Sequence, residues 1–342
     1  MSESELKEAL AIPNGARFYR CAFQVNPFQY LVRHKKPTAF TSEADYNEAM
    51  VKALLENEIG VIAVTDHYRT RHSATLIKAA QEAGISVFPG FEASTKDGLH
   101  FLCLFSPETD LAKIDRCIGD CGIHDETVLS PIGKHDCLEL LKEAGKWDAL
   151  CIAAHADEDN GVLVSLSGQS RVNVWKSEAF LACAIKGDPT KADEKHRLIL
   201  LNKDSVYARE RPPALIHAKD VNGPDDLAKP DATTWVKMST PSLSGLRQAF
   251  LDPDSRIRLE KAQDAPQKEI LAIHWLSGFL ADMRIHFNPN LNVIIGGRGT
   301  GKSTIIESIR YVLSLTPTGD EAQKSHDAIV REVLKNGTKI SI

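Results

Sequence analysis

The sequence has no apolar run that approaches the roughly 18 residues needed for a membrane-spanning helix. Its first ten residues, MSESELKEAL, are polar and charged, so the apolar segment of a signal peptide is absent as well. The seven cysteines are scattered, and Cys117 and Cys121 have no second pair nearby that would complete a zinc finger. These absences predict a cytoplasmic protein with reduced thiols and no membrane partner.

An excess of positive charge is also missing. The chain carries 41 Lys and Arg against 46 Asp and Glu, which gives a formal net charge of −5. No overall positive field therefore indicates nucleic-acid binding, and any such contact would depend on local basic patches. A length of 342 residues predicts two domains at roughly 150 residues each, and a hydrophobic fraction of 43% is ordinary for a globular chain.

The sequence does contain a regular alternation of strand-like and helix-like segments. Short apolar runs that end in polar residues predict buried strands. In chain order these runs are GVIAVTDH, ISVFPGFEAS, LHFLCLF, ALCIAAHAD, PPALIHAKD and TTWVKMS. Apolar residues at helical spacing predict helices between them, the first capped by Thr41 or Ser42. The others cover about residues 73–83, 134–145 and 243–250.

Composition divides the chain into three predicted segments. Residues 1–251 form a front domain, in which the polar stretch 156–210 indicates loops or insertions. Residues 252–269, DPDSRIRLEKAQDAPQKE, are charged and weakly apolar, which predicts a linker. In residues 270–342 a strand is predicted over Leu291 to Ile295, before a helix. The apolar face of that helix consists of Ile305, Ile306, Ile309, Val312 and Leu313.

A glycine-rich loop, GGRGTGKS, lies between that strand and that helix. It matches the pattern G-x-x-x-x-G-K-[ST], in which backbone N–H groups surround phosphate oxygens at the start of a helix. We expect Lys302 to contact the β- and γ-phosphates of ATP and Ser303 to hold Mg²⁺. The predicted nucleotide-binding residues are Gly296, Gly297, Arg298, Gly299, Thr300, Gly301, Lys302, Ser303 and Thr304.

The residues after the loop contain no apolar strand ending in Asp that would serve as a Walker B segment. The acidic piece GDEAQKSHD is polar throughout, so we expect that this chain alone does not hydrolyse ATP. The phrase FNPNLNVIIGGRGTGKST resembles the N-terminal lobe of the structural-maintenance-of-chromosomes and RecF-like ATPases. This resemblance implies a front domain joined to the first part of such an ATPase, whose longer form assembles as a homo-oligomer.

Polar side chains also gather at predicted strand ends in the front domain. Catalytic groups of α/β barrels lie at the C-terminal ends of strands, and histidine together with carboxylate suits zinc, manganese or iron. Two or more such ions close together would stabilise phosphoryl transfer and activate water. The side chains concerned are Asp66, His67, Glu92, His100, His155, Asp220 and Asn222.

These motifs resemble the polymerase and histidinol phosphatase (PHP) family. V-T-D-H matches its second motif with His67 as a ligand, and G-F-E-A-S makes Glu92 the bridging ligand. H-F-L-C-L supplies His100 and A-A-H-A supplies His155, while Asp220 begins the match to a D-x-H motif. The resemblance implies a distorted (βα)7 barrel with a trinuclear site holding Zn²⁺ or Mn²⁺. Glu92, His155 and Asp220 would then be catalytic, and Asp66 would bind metal or orient its neighbours.

The chain departs from the family at two motifs. The first motif of the family, H-x-H, is replaced by Gln24-Val25-Asn26, and Asn222 stands where the D-x-H motif has histidine. Neutral amides are weak metal ligands compared with imidazole. The set Glu92, His100 and His155 stays whole, so we expect one metal more readily than two or three.

The order of a PHP-like domain, a linker and a RecF-like loop resembles the TrlF-type fusions and the PHP-like anti-phage proteins. The stretches G-A-R-F-Y-R-C and F-L-C-L-F share in this resemblance. It implies a metal-dependent phosphoesterase or nuclease that ATP controls and that acts on nucleic acid, DNA being favoured, or on nucleotides. The alternative is a catalytically degenerate barrel that senses a nucleotide, a nucleic acid or a phage protein and regulates the ATPase.

Overall fold

The computed structural model describes residues 2–125, 127–261, 269–335 and 337–342. The described residues divide into two compact units. The barrel unit runs from residue 17 to 261, and the C-terminal unit combines residues 2–16 with the described residues from 269 onward. Sequence analysis had placed the first sixteen residues in the front domain. Nowhere in the described ranges does a helix combine the length and the apolar character that a membrane span requires.

Twelve strands are present among the described residues. They are β1 (Arg17–Val25), β2 (Ile59–Val64), β3 (Ser86–Ser94), β4 (His100–Leu104), β5 (Leu150–Ala153), β6 (Ala182–Ala184), β7 (Ala214–Ile216), β8 (Thr234–Met238), β9 (Ile257–Arg258), β10 (Ala272–Trp275), β11 (Arg284–His286) and β12 (Ile340–Ser341).

The described α-helices are α1 (Glu3–Leu10), α2 (Phe28–Arg33), α3 (Glu43–Glu56), α4 (Ala74–Glu82), α5 (Leu111–Asp120), α6 (Cys137–Trp147), α7 (Val162–Ser165), α8 (Gly168–Trp175), α9 (Glu194–Leu200), α10 (Leu243–Leu251), α11 (Pro253–Arg256), α12 (Lys302–Val312) and α13 (Asp320–Ile329). Short 3₁₀ helices cover Pro189–Lys191 and Pro224–Ala228, and a π-helix covers Val330–Leu334.

The barrel unit is built on one nine-stranded sheet in the order β7-β6-β5-β4-β3-β2-β1-β8-β9. Its end strands β7 and β9 lie next to each other, so the sheet is a nearly closed barrel. Strands β1 to β3 and β5 to β7 pair in parallel, whereas β4 and β8 are antiparallel to their neighbours. The predicted α/β barrel is confirmed, with mixed rather than wholly parallel pairing.

Alternate residues of the strands separate the inside of this barrel from its outer layer. Phe23, Ala63, Phe88 and Leu102 belong to one buried cluster to which all strands from β1 to β8 contribute. The same cluster includes the apolar face of α10, so this helix covers part of the barrel interior. Residues of opposite parity, such as Ile62, pack against the surrounding helices instead.

Most predicted elements of the barrel unit are confirmed. Ser42 caps α3 through its side chain, and α4, α6 and α10 lie where helical spacing placed them. The expectation of loops over residues 156–210 was wrong in part, because β6 lies there and pairs with β5 and β7. Its three residues, Ala182–Ala184, are too few to give a strand pattern in the sequence.

Part of the predicted linker is ordered within the barrel unit. Helix α11 and strand β9 fall inside residues 252–269, and β9 pairs with β8 through Ile257 and Arg258. Residues 262–268 of the predicted linker lie outside the described residues.

The C-terminal unit has an antiparallel sheet in the order β11-β10-β12. Helix α12 packs on it through Ile305, and the indole Nε1 of Trp275 donates to Ser308 Oγ at 3.0 Å. The N-terminal residues join this unit because Asn14 Nδ2 donates to the carbonyl of Phe287 at 3.1 Å. A ring nitrogen of His286 also contacts the carbonyl of Ile12 at 2.8 Å.

The strand predicted over Leu291 to Ile295 is not formed. Ile294 faces the small core of the C-terminal unit, but Leu291 and Ile295 are 83% and 87% exposed and pair with no described strand. Their alternation is typical of a strand, but a strand needs a hydrogen-bonding neighbour, which the described residues do not supply here.

Candidate functional site

Strand parity directs two of the predicted site residues into the barrel. Glu92 on β3 has the parity of the interior residue Phe88, and His100 on β4 has the parity of Leu102. Because β3 and β4 are antiparallel neighbours, the two polar residues fall at the same end of the barrel. Glu92 is 4% exposed.

His67 and Asp66 follow β2 and point in different directions. His67 has the parity of the interior residue Ala63, and its backbone forms an isolated parallel β-bridge with Glu92. Asp66 has the parity of the outer layer, where it forms an ion pair with Arg33 of α2. Asp66 is fully buried, so this guanidinium is the cation that stabilises its charge.

Three side chains meet closely enough to hold a metal ion. Ligand atoms of Glu92, His100 and His155 all lie within 4.8 Å of one another, and no other such group occurs among the described residues. His100 Nδ1 is 3.0 Å and His155 Nε2 is 3.9 Å from Glu92 Oε1. His67 Nδ1 lies 3.6 Å from the other carboxylate oxygen, Oε2. One carboxylate and two imidazoles fit Zn²⁺ or Mn²⁺.

Electrostatics at this cluster favour a charged Glu92. Burial acts to raise the pKa of Glu92, but contacts with His100 and His155 and the nearby His67 outweigh it and hold that pKa well below its usual range. Burial, reinforced by the charge of Glu92, raises the pKa of Asp220. The two carboxyl groups therefore differ in their affinity for a proton.

Two amide side chains contact the carboxylates of the site. Gln24 Nε2 donates to Glu92 Oε2 at 3.1 Å, and Asn26 Nδ2 donates to Asp220 Oδ1 at 3.0 Å. A register shift in β1 between Ala22 and Val25 changes the parity of this strand, so that Gln24 reaches the site. The sequence identified these amides as departures from a metal motif but not as donors to the carboxylates.

Arg33 was missed in the sequence. It lies on the short helix α2, beside Tyr30, whose ring centroid is 5.8 Å from that of His67. No motif marks Arg33, and only the packing of α2 against the outer face of β2 brings it to Asp66.

The turn after β5 places His155 in the site with a left-handed backbone. Its φ of 32° is unfavourable for a residue with a side chain, and the turn is closed by hydrogen bonds from Glu158 to His155 and from Gly161 to Glu158. A Cβ on Gly161 would lie 2.1 Å from the carbonyl oxygen of His155. The turn therefore requires glycine at position 161.

We expect Gly161→Ala to displace this turn. The variant should lose about 1–3 kcal/mol of unfolding free energy, the usual cost of overpacking, and should bind metal more weakly. Gly145→Ala is the matched control, because a Cβ at this position of α6 meets nothing within 4 Å. Thermal unfolding and metal titration of both variants test this, and equal behaviour would mean that the turn does not depend on Gly161.

The glycine-rich loop precedes α12 in the C-terminal unit. Gly299 and Gly301 have φ of 81° and 92°, a conformation that favours glycine. Lys302 Nζ donates to the carbonyl oxygens of Gly296 and Gly297 at 2.8 and 2.6 Å. The loop lines a cavity of about 800 Å³ together with Phe279.

This part of the chain has a recognisable sequence family. Residues 271–341 match the AAA domain family. The match does not include any residue of the barrel unit. No curated protein matches the chain at a significant level.

Solved structures similar to the chain include two of endonuclease Q. The lesion-specific endonuclease PfuEndoQ from Pyrococcus furiosus has 12% identity and a TM-score of 0.47, covering 69% of this chain and 56% of its own. An endonuclease Q complex with a 27-mer duplex substrate containing an abasic lesion has 11% identity and a TM-score of 0.47, covering 68% and 56%. The chain thus spans little more than half the length of these relatives.

A third similar structure comes from Bifidobacterium adolescentis and is described as a metal-dependent phosphoesterase. It has 11% identity and a TM-score of 0.40, covering 59% of this chain and 87% of its own. Because none of the three reaches a TM-score of 0.5, the fold assignment rests on the strand order of this chain.

Proposed function

We propose that the barrel unit is a metal-dependent phosphoesterase, specifically a nuclease that acts on DNA, under the control of ATP bound to the C-terminal unit. The observation that carries the proposal is the cluster of Glu92, His100 and His155 at one end of the barrel. A buried carboxylate and half-buried imidazoles at the ends of neighbouring strands of a barrel are an arrangement suited to metal-assisted hydrolysis.

Each residue of the proposed site has a distinct task. Glu92, His100 and His155 would hold a divalent ion, which would supply Lewis-acid activation of water and of a phosphoryl oxygen. Hydrolysis adds water across the P–O ester bond, so one proton must leave the water and one must reach the departing oxygen. Asp220, ionised at the start, would take the proton from the attacking water and pass it to the departing oxygen; burial and the charge of Glu92 raise its pKa, which makes it the stronger base. His67 lies beside Glu92 and supports its orientation.

For the C-terminal unit we propose ATP and Mg²⁺ at the glycine-rich loop. Backbone N–H groups of residues 296–304 would bind the phosphates, Lys302 would neutralise their charge, and Ser303 would hold Mg²⁺. The cavity beside the loop has room for a nucleotide. Homo-oligomerisation through this unit and a role in anti-phage defence or DNA repair belong to the proposal and rest on the sequence resemblance. A cytoplasmic location also belongs to it and rests on the polar N-terminus, the lack of long apolar runs and the scattered cysteines.

The test is hydrolysis of a model phosphodiester and of DNA by the chain supplied with Mn²⁺, Zn²⁺ or Mg²⁺. We expect His155→Ala to lower the rate by about 100-fold or more, since even partners of metal ligands are worth about 10–100-fold. His124→Ala, an exposed histidine, should leave the rate unchanged. Absence of cleavage with all three metals would contradict the proposed nuclease activity.

A second function is favoured by the hydrogen bonds of Gln24 and Asn26 to Glu92 and Asp220. These bonds satisfy carboxylate oxygens without metal, as in a barrel that senses a nucleotide, a nucleic acid or a phage protein and passes the signal to the ATPase. Binding of a phosphorylated ligand without turnover, weakened by His155→Ala, would select this function over the nuclease.

A further inference from the structure

Amide groups of the protein donate hydrogen bonds to some of the carboxylate oxygens at the barrel site. Gln24 and Glu92 are 2% and 4% exposed, and the amide Nε2 of Gln24 contacts Oε2 of Glu92. The opposite orientation of this amide would bring two oxygen atoms together, so the nitrogen must face the carboxylate. Oε2 is therefore occupied by a donor, while Oε1 faces His100 and His155.

The second carboxylate of the site is covered in the same way. Asn26 Nδ2 donates both to Asp220 Oδ1 and to Asn222 Oδ1, each at 3.0 Å. Two acceptors around one amide group allow only its nitrogen at that position. Asn26 Nδ2 and Asn222 Oδ1 are thus bonded to each other, and Asn26 Nδ2 is also bonded to Asp220.

The third carboxylate has a cation of its own. Asp66 is fully buried and forms its ion pair with Arg33, whose side chain is 18% exposed. The guanidinium supplies the positive charge that this buried carboxylate needs, so Asp66 needs no metal ion.

The charges of the site indicate how many divalent ions it can take. Asp66 and Arg33 neutralise each other on the outer face, so Glu92 and an ionised Asp220 leave two negative charges at the site. Lys36 also acts on Asp220, but it is half-exposed, so water screens its charge. One divalent ion balances these two charges, and a second would add positive charge that no carboxylate of the site compensates.

We propose that the barrel holds a single divalent ion, bound by Glu92 Oε1, His100 and His155, and that Gln24 and Asn26 take the positions of ligands for further metal ions. This inference rests on the proposed metal-dependent function. The amides and the guanidinium keep Glu92, Asp220 and Asp66 in place by hydrogen bonds and charge. The site is thereby organised around one metal instead of several.

The test is the number of metal ions per chain, measured by elemental mass spectrometry and by electron paramagnetic resonance of the Mn²⁺-loaded chain. The wild type should hold about one ion and show the spectrum of an isolated Mn²⁺. The triple variant Gln24→His, Asn26→His, Asn222→His replaces amides by metal-binding imidazoles. It should hold at least about one ion more, and its spectrum should show coupling between neighbouring ions.

Asn173→His is the matched control, because it adds a histidine on an exposed position of α8 and should leave the metal content unchanged. Two or more ions in the wild type would overturn the single-metal site but leave the phosphoesterase intact. A folded triple variant that still holds one ion would overturn the assigned role of the amides. If the triple variant does not fold, the metal content of Gln24→His alone tests the role of the amide, and the wild-type spectrum tests the single-metal site. A wild-type chain that binds no metal would instead contradict the proposed metal-dependent function.

Discussion

The variant Glu92→Gln is expected to bind no metal at the barrel site and to hydrolyse phosphodiesters about 1,000-fold more slowly. Mutation of a residue that only hydrogen-bonds a metal ligand lowers activity by about 10–100-fold, and loss of a ligand itself should cost about ten times more. Glu92 is the residue that His67, His100 and His155 all approach. Glutamine has the same size but no negative charge, and its NH₂ group is a donor that repels a cation. Elemental mass spectrometry and the rate of hydrolysis measure the two effects.

The same variant should remain folded. Glutamine preserves the volume at a buried position, and its neighbours are polar, so the native packing has room for it. Glu82→Gln removes an exposed carboxylate from α4 and is the matched control, for which we expect wild-type metal content and rate. Metal content equal to that of the wild type in Glu92→Gln would show that Glu92 is not a ligand.

The second large effect is expected for Lys302→Ala in the C-terminal unit, which should lower ATP affinity by at least about 100-fold. Each hydrogen bond to a charged group is worth about 1.5–3 kcal/mol, and two bonds to the phosphates together exceed the roughly 2.8 kcal/mol of a 100-fold change. Titration of a fluorescent ATP analogue in the presence of Mg²⁺ measures the affinity.

Lys302 is not needed for the fold of its unit. Its Nζ donates hydrogen bonds only to the loop carbonyls of Gly296 and Gly297 among the described residues. The variant should therefore give the circular dichroism spectrum and the unfolding temperature of the wild type. Lys324→Ala, an exposed lysine of α13, is the control and should bind ATP normally. Unaltered ATP affinity in Lys302→Ala would contradict nucleotide binding at this loop, whereas an insoluble variant would contradict the independence of the fold.

The sequence predicted the structure best where a local pattern of apolar residues or glycines directly determines the backbone conformation. The apolar runs before Asp66, Glu92 and His155 predicted strands that the structure contains, because burial on both faces of a strand leaves a clear pattern. Gly299 and Gly301 marked a turn that needs left-handed backbone, and α12 follows it.

Elements with weak local patterns were missed or misplaced. Strand β6 has three residues, too few for a period, and its pairing with β5 and β7 depends on residues more than twenty positions away. The segment from Leu291 to Ile295 has a strand pattern but no described neighbour to pair with. Residues 2–16 form an amphipathic helix and a short extension, and the sequence of that helix does not indicate which sheet it packs on.

The sequence by itself determined the alternating elements, the glycine-rich loop and the residue types of a metal site, because each depends on periods and spacings within a short segment. Only the tertiary structure decided that Glu92, His100 and His155 meet, that Gln24 and Asn26 face the carboxylates, and that Arg33 pairs with Asp66. These contacts join strands and a helix far apart in the chain. Their geometry follows from strand order, parity and a register shift in β1, none of which a local pattern contains.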